Sequence, residues 1–284
     1  MLSESVVTAL VPVRYFCPRF FLAAIDSLQQ QTAPTWQSRV IVEAGQRPAI
    51  ESVLGSRLGD PRIVVIENDG RGLAGAFNTG MRDATTEFVA ILLADDLWSL
   101  DAVSVLEHEI RARQTVDFFH TARRIIDEHG TSISSVHPPT PAVTIADFQT
   151  RAPVKHLLCW RRTIGLEVGG MDESLNSVGP DDLDFPWTMA EHGVTFDAIE
   201  DCLYLYRDHR SHYRLTTHLP RSVHRRELAR IFRKHGLPPA VARQRIREAT
   251  NSYLRQCLYR SPIDAWWRRA VGRPPKDPWR ERYR

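Results

Sequence analysis

Four short apolar runs rich in β-branched residues alternate with stretches of helical periodicity over the first third of the chain. Residues 6–13, 38–43, 63–66 and 88–94 read as strands; residues 19–31, 48–58 and 73–84 place apolar side chains at helical spacing. Parallel strands cannot be joined by tight turns and need a crossover, normally a helix. The alternation therefore predicts an α/β fold, a mostly parallel sheet flanked by helices. In the fourth run, Phe88-Val89-Ala90-Ile91-Leu92-Leu93-Ala94, no polar residue interrupts the apolar sequence, as expected of a strand buried on both faces. Ligands of such sheets bind beyond the carboxyl ends of the strands. Four segments converge there: Pro12-Val13-Arg14, Glu43-Ala44-Gly45, the loop Asn68-Asp69-Gly70-Arg71-Gly72, and Asp95-Asp96.

Downstream, residues 101–113 read as a helix, 115–145 as less regular with a proline-rich loop at 136–141, and 154–162 as extended. Residues 165–177 read as a loop around Gly169-Gly170, 182–192 as a helix with Pro186 in its first turn, and 195–206 as a strand. From Pro220 the pattern is helical and basic, broken at Gly236-Leu237-Pro238-Pro239 and at Pro262, and 272–284 is expected to be mobile. The expected organisation is one domain over 1–215, divided near residue 100, and an extension over 216–284.

No apolar stretch approaches the ~20 residues of a membrane-spanning helix. The beginning has no basic signal-peptide region, and the four cysteines are scattered without metal or redox spacing, which points to reduced thiols in the cytoplasm. The formal charge of +3 hides a division. Residues 221–284 hold 18 basic and 5 acidic residues, a net +13; the body holds 19 and 29, a net −10. Such asymmetry predicts an anionic partner, or a tail folded onto an acidic body. Trp266-Trp267-Arg268-Arg269 and Trp279-Arg280 suit a peripheral contact with the inner face of a membrane. No nucleic-acid motif is present, so no nucleic-acid partner is expected.

Two carboxylate clusters carry the chemistry. Asp95-Asp96 is either a turn or a cation site, since Mg²⁺ is usually held by one or two carboxylates plus substrate phosphates. Asp181-Asp182-Leu183-Asp184 precedes a helix, so one aspartate is either an N-cap or a general base. Arg71 suits a phosphate. His209 and His212 follow a strand and are candidate metal contacts.

These residues also resemble glycosyltransferase family 2, with its GT-A fold, over roughly residues 5–210. The resemblance rests on Val11-Pro12-Val13-Arg14, Ser27-Leu28-Gln29-Gln30-Gln31-Thr32, the run from Gly70-Arg71-Gly72 to Asn78-Thr79-Gly80, Ala94-Asp95-Asp96, Gly169-Gly170-Met171-Asp172-Glu173 and Pro180-Asp181-Asp182. Each motif is weak singly; their order and spacing together are specific. The resemblance implies inverting transfer from a nucleotide sugar of UDP, dTDP or GDP type, assisted by Mg²⁺ or Mn²⁺, to a glycan, lipid-linked or other hydroxyl acceptor. It implies that Pro12, Val13, Arg14, Glu43, Asn68, Arg71 and Asp95 surround the nucleotide. It implies that Asp96 holds the metal with Asp95 and His209, and that Asp182 is the base with Asp181 as rival. Its division of the domain is a nucleotide-sugar half (1–100) and an acceptor half (101–215). Glu43-Ala44 departs from the family's paired acidic residues, and Leu93 stands where a fuller D-x-D-D motif begins. The rival readings are a sugar-1-phosphate nucleotidyltransferase and a non-catalytic nucleotide-sugar-binding module. The first requires a glycine-rich basic loop after the first strand, where this chain has Pro12-Val13-Arg14-Tyr15-Phe16.

Overall fold

A computed structural model of the chain describes residues 5–175, 179–208, 220–259, 266–267 and 269–272. Its strands are β1 (Val7–Val13), β2 (Trp36–Val42), β3 (Ile63–Glu67), β4 (Phe88–Ile91), β5 (Leu97–Trp98), β6 (Phe118–Ile126), β7 (Leu158–Arg161) and β8 (Phe196–Arg207). They form one eight-stranded sheet in the order β3-β2-β1-β4-β7-β6-β8-β5. The first four strands are parallel, as the strand–helix alternation requires; β7 runs antiparallel to both β4 and β6, and β8 is parallel to β6. Both expected halves of the 1–215 region share this sheet, joined where β4 pairs with β7.

Two cores cover the two faces. Val7, Ala9, Val11 and Val13 of β1 join one, with Phe21 and Ile25 of helix α1 (Pro18–Gln29). Leu10 of the same strand joins the other, with Phe77 and Met81 of helix α3 (Gly72–Asp83). This is the period-two alternation of a strand covered on both sides. A Cβ on Gly80 would lie 2.9 Å from the Leu10 side chain and 3.0 Å from Ile41, so glycine allows α3 to lie close on the sheet. Between these elements run α2 (Arg47–Leu54) and a 3₁₀ turn, Gly55–Gly59, where one longer helix was expected. The last residue of α2, Leu54, is buried, and the change to a tighter turn begins at Gly55, which has a positive φ of 54°.

Other expectations shift in the second half. Helix α4 (Ala102–Ala112) matches the periodic stretch, but β6 is nine residues long where the sequence reads as irregular. Its His120-Thr121 and Arg123-Arg124 pairs interrupt the apolar pattern, and the register slips against β8 between Thr121 and Arg123. Helix α5 (Ile145–Thr150) is opened by a capping box, Thr144 with Asp147. Helix α6 (Arg162–Glu167) lies in part within the expected loop. The expected 182–192 helix is a π-helical turn, Pro180–Asp184, followed by α7 (Phe185–Glu191).

Helices α8 (Arg221–Lys234) and α9 (Pro239–Tyr259) confirm the helical reading of the basic region. They are part of the body: Leu228, Ile231, Phe232, Leu237 and Ile246 belong to the same core as Phe77 and Trp187. Lys234 pairs with Asp184 at 2.7 Å and Arg230 donates to the Ser174 carbonyl at 3.1 Å. Residues 273–284, expected to be mobile, lie outside the described residues. No helix among the described residues is long and apolar enough to cross a membrane.

Candidate active site

Strand β4 ends at Ile91, and the chain turns over the sheet's edge, with the Asp96 amide donating to the Leu93 carbonyl at 3.1 Å. The turn separates the two carboxylates. Asp95 is half-buried, while Asp96 has no exposed surface. One Asp96 oxygen accepts from the Tyr204 hydroxyl at 2.7 Å, the other from the Arg207 amide at 2.6 Å. Burial and the Asp95 charge push the Asp96 carboxyl well above the usual carboxylate range, and these two donors oppose the rise. Arg207 continues the clamp: Nε donates to the Asp95 carbonyl at 2.8 Å and Nη1 to the Asp127 carbonyl at 2.9 Å. Sequence reasoning missed Tyr204 and Arg207. Tyr204 lies in the segment that reads simply as a strand and Arg207 one residue past its expected end, and only the adjacency of β8 to β6 and β5 brings them under the turn.

For a divalent cation, the structure distinguishes the two aspartates assigned to it. Asp96 is enclosed with both oxygens engaged. Asp95 sits at the accessible end of the turn, and one carboxylate plus substrate phosphates is a sufficient set for Mg²⁺. The pair therefore fits a cation held by Asp95 above a fixed Asp96. No cluster of three acidic, histidine or cysteine side chains suited to a metal occurs among the described residues. His209 and His212 lie outside them.

The second carboxylate cluster lies in the π-helical turn Pro180–Asp184. The π-helical turn is closed by the Asp184 amide donating to the Gly179 carbonyl at 2.9 Å. Asp181 is buried and meets Nε2 of His156 at 3.0 Å. The His156 ring lies 5.4 Å from the Tyr204 ring, near parallel to it. Asp181, His156, Tyr204 and Asp96 thus form a continuous contact chain between the two clusters. Asp182 is half-buried; burial and the Asp181 charge raise its carboxyl, and the charges of His156, Lys155 and Arg123 partly offset this. A carboxylate raised toward neutrality is a stronger base, which suits proton removal from a hydroxyl. Asp184, the third of the cluster, is committed to Lys234 and to His235 at 3.0 Å.

The nucleotide-side residues divide into exposed and structural groups. Val42 pairs with both Val13 and Glu67, so the carboxyl ends of β1, β2 and β3 lie side by side. Pro12 and Glu43 are half-buried and Arg14 is exposed, its guanidinium 5.2 Å from the Tyr15 ring centre. Val13 points into the core and contributes only backbone to the edge. Asn68 is used within its own loop, accepting from the Gly70 amide at 2.9 Å and donating to the Gly72 carbonyl at 3.3 Å. Arg71 is exposed at the N-terminus of α3, and its amide donates to Glu173 at 2.9 Å. Glu67, not singled out in the sequence, accepts from the Gly45 amide at 3.2 Å beside Glu43.

Asn78 joins the two halves. Its amide nitrogen donates to the Met171 carbonyl at 2.9 Å, and its oxygen accepts from the Met171 amide at 2.8 Å. Gly170, with φ of 73°, makes the approach possible: a Cβ there would lie 2.5 Å from the Asn78 oxygen. The motif residues of α3 and of the Gly-Gly-Met-Asp-Glu stretch are therefore partners in one fixed joint.

Comparison with known proteins gives the family and the fold. The model of Glycosyl transferase family 2 matches residues 10–159, more than half of the chain. The chain belongs to glycosyl transferase family 2. A UDP-Glc:alpha-D-GlcNAc-diphosphoundecaprenol beta-1,3-glucosyltransferase of Escherichia coli is 25% identical over 129 residues, 45% of this chain and 49% of that protein. An uncharacterized glycosyltransferase of Rickettsia felis is 28% identical over 137 residues, 48% of this chain and 22% of that protein. The family 2 chain thus spans half or less of the curated relatives it matches. Among solved structures, S. aureus TarS 1-349 in complex with UDP-GlcNAc superposes with a TM-score of 0.60 at 16% identity, covering 80% of this chain and 65% of that one. The mannosyltransferase PcManGT from Pyrobaculum calidifontis, solved with GDP-Man and Mn2+, gives 0.56 at 19% identity, covering 99% and 83%. These likenesses establish the GT-A fold.

Proposed function

We propose that this family 2 protein is an inverting, divalent-metal-dependent glycosyltransferase that moves a sugar from a nucleotide-sugar donor to a hydroxyl acceptor in polysaccharide or glycoconjugate synthesis. The observation that carries the proposal is the contact chain from Asp96 through Tyr204 and His156 to Asp181, which holds the two carboxylate-bearing turns next to each other. Family membership, and the nucleotide sugars bound by the two solved relatives, support a UDP, dTDP or GDP donor.

The residues divide the reaction between them. Pro12, Arg14 and Glu43 border the nucleoside, and the exposed Arg71 at the head of α3 faces the phosphates with the positive end of the helix. Asp95, with His209 as a further candidate ligand, would hold the cation, which when bound neutralises charge developing on the diphosphate. Asp182 accepts the acceptor's proton as its oxygen attacks the anomeric carbon; the bond to the diphosphate breaks on the opposite face and configuration inverts. Asp181 is the less available rival because it is buried against His156, and it orients the turn. The name of the E. coli relative supports an acceptor linked to a lipid diphosphate, and the exposed Trp266 and Trp267 support peripheral attachment to the cytoplasmic face of a membrane.

The test is a panel of nucleotide sugars given to the purified protein, with release of nucleoside diphosphate measured with and without Mn²⁺. Release with one donor that stops on chelation is expected. Binding without turnover, seen as nucleotide-dependent thermal stabilisation alone, would replace the enzyme with a binding module.

A further inference from the structure

The turn that carries Asp182 is anchored on both sides, and its second anchor comes from the basic region. On one side of Asp182, Asp181 is held by His156. On the other, the buried Asp184 receives Lys234 Nζ at 2.7 Å and His235 Nε2 at 3.0 Å. Lys234 is the last residue of α8 and His235 follows it. The local sequence fixes where that helix stops. Gly236 has a positive φ of 63°, its amide donates to the Arg233 carbonyl at 3.1 Å, and the Leu237 amide donates to the Phe232 carbonyl at 2.8 Å. This double closure needs a left-handed residue, which glycine supplies without strain. Leu237 and Phe232 are both buried in the core shared with Trp187, so the end of α8 is fixed against the body.

Each of the two residues joins more than one element. Lys234 also reaches Asp172 at 3.4 Å, in the stretch that Asn78 fixes to α3. Nδ1 of His235 meets Glu191 at 2.9 Å, so one ring spans α7 from the residue before it to its last residue. The His235 side chain has no exposed surface, and its ring lies on that of Trp187, centres 4.3 Å apart and 5° from parallel. A carboxylate as buried as Asp184 is costly without partners, and losing one favours opening of the turn toward water. Asp182 lies two residues before Asp184 in a turn of five. A general base acts only within hydrogen-bond reach of the proton it takes, so displacement of this turn translates into lost rate.

We propose that Lys234 and His235 are positioning residues: by holding Asp184 they keep the Pro180–Asp184 turn in its π-helical form and so set the place of Asp182. The consequence for catalysis rests on the transferase function proposed above; the state of the turn is observable without it.

Hydrogen exchange of the full-length protein is followed by mass spectrometry over residues 179–185, and turnover is measured with the accepted nucleotide sugar. Lys234→Met removes the ammonium and keeps an apolar stem; His235→Phe keeps a ring against Trp187 and removes both nitrogens. In each, the turn closed by the Asp184 amide on the Gly179 carbonyl is expected to exchange about tenfold faster, with the sheet unchanged. Each is also expected to lower kcat about tenfold, with donor KM within about twofold of wild type. Lys234→Arg keeps a charged donor and is expected to stay within about threefold of wild type in both readouts. Arg233→Met, which removes an exposed charge from the same helix, is expected to match wild type. Wild-type turn exchange in both Lys234→Met and His235→Phe overturns the proposal. Faster exchange of the whole chain, or a lower melting temperature with kcat unchanged, assigns the two residues to packing alone and equally overturns it. Absence of turnover in the wild type sinks the transferase reading, while the exchange comparison still decides whether Lys234 and His235 hold the turn.

Discussion

At the scale of single residues, the adjacent aspartates Asp95 and Asp96, and likewise Asp181 and Asp182, differ because their surroundings differ. Asp182→Asn removes the proton acceptor and is expected to lower kcat about 10³-fold with little change in donor KM, measured by steady-state kinetics with the accepted donor. Asp95→Asn is expected to raise the Mn²⁺ concentration needed for half-maximal activity. Tyr204→Phe removes one of the two donors to the buried Asp96 and is expected to cost about 1–3 kcal/mol in a urea unfolding curve. His120 gives the clearest pH signature. Burial lowers its pKa from 6.5 to about 4, so between these values the unfolded chain binds a proton that the folded chain does not. Stability therefore falls as pH drops through that window, by about 3 kcal/mol in total at roughly 1.4 kcal/mol per pH unit. A His120→Leu variant is expected to show a slope of unfolding free energy against pH shallower by that amount, and an unchanged slope would rule out the buried neutral imidazole.

At the scale of elements, α3 and the stretch around Gly170 are held as one joint by Asn78. Asn78→Ala leaves the Met171 amide and carbonyl without partners and is expected to cost about 2–4 kcal/mol, read from the denaturation midpoint. The parallel half of the sheet was legible in the sequence because each of β1 to β4 carries an apolar stretch, such as Val40-Ile41-Val42 in β2 and Ile63-Val64-Val65-Ile66 in β3, whose pattern needs no knowledge of neighbours. The expected fourth run extends to residue 94, whereas β4 stops at Ile91, because the Leu93 carbonyl is taken by the Asp96 amide. β6 was illegible for a physical reason. His120, Thr121, Arg123 and Arg124 break the alternation, and they are tolerated there because β7 and β8 complete the backbone hydrogen bonding on either side. Helix α5 carried a readable signal, the Thr144–Asp147 capping box, which a search for N-terminal caps recovers.

At the scale of the whole molecule, the charge division has a structural counterpart. The acidic body receives α8 through Lys234 and Arg230, and the apolar face of that helix completes a core, so Phe232→Ala is expected to cost about 3–5 kcal/mol. The exposed Trp266 and Trp267 take no part in this packing. Truncation after Tyr259 is expected to abolish sedimentation with anionic phosphatidylglycerol vesicles, an interaction that in the full chain weakens at high salt. Equal sedimentation of both chains would reject the peripheral-membrane reading.

The sequence alone determined the strand–helix order of the first hundred residues, both carboxylate clusters and the family, because each of these is written in local pattern and spacing. Tertiary structure alone decided which carboxylate of each pair is buried. Tyr204, Arg207 and His156 come from β8 and the approach to β7, far along the chain, and their hydrogen bonds and ring contacts enclose Asp96 and Asp181 while leaving Asp95 and Asp182 more exposed.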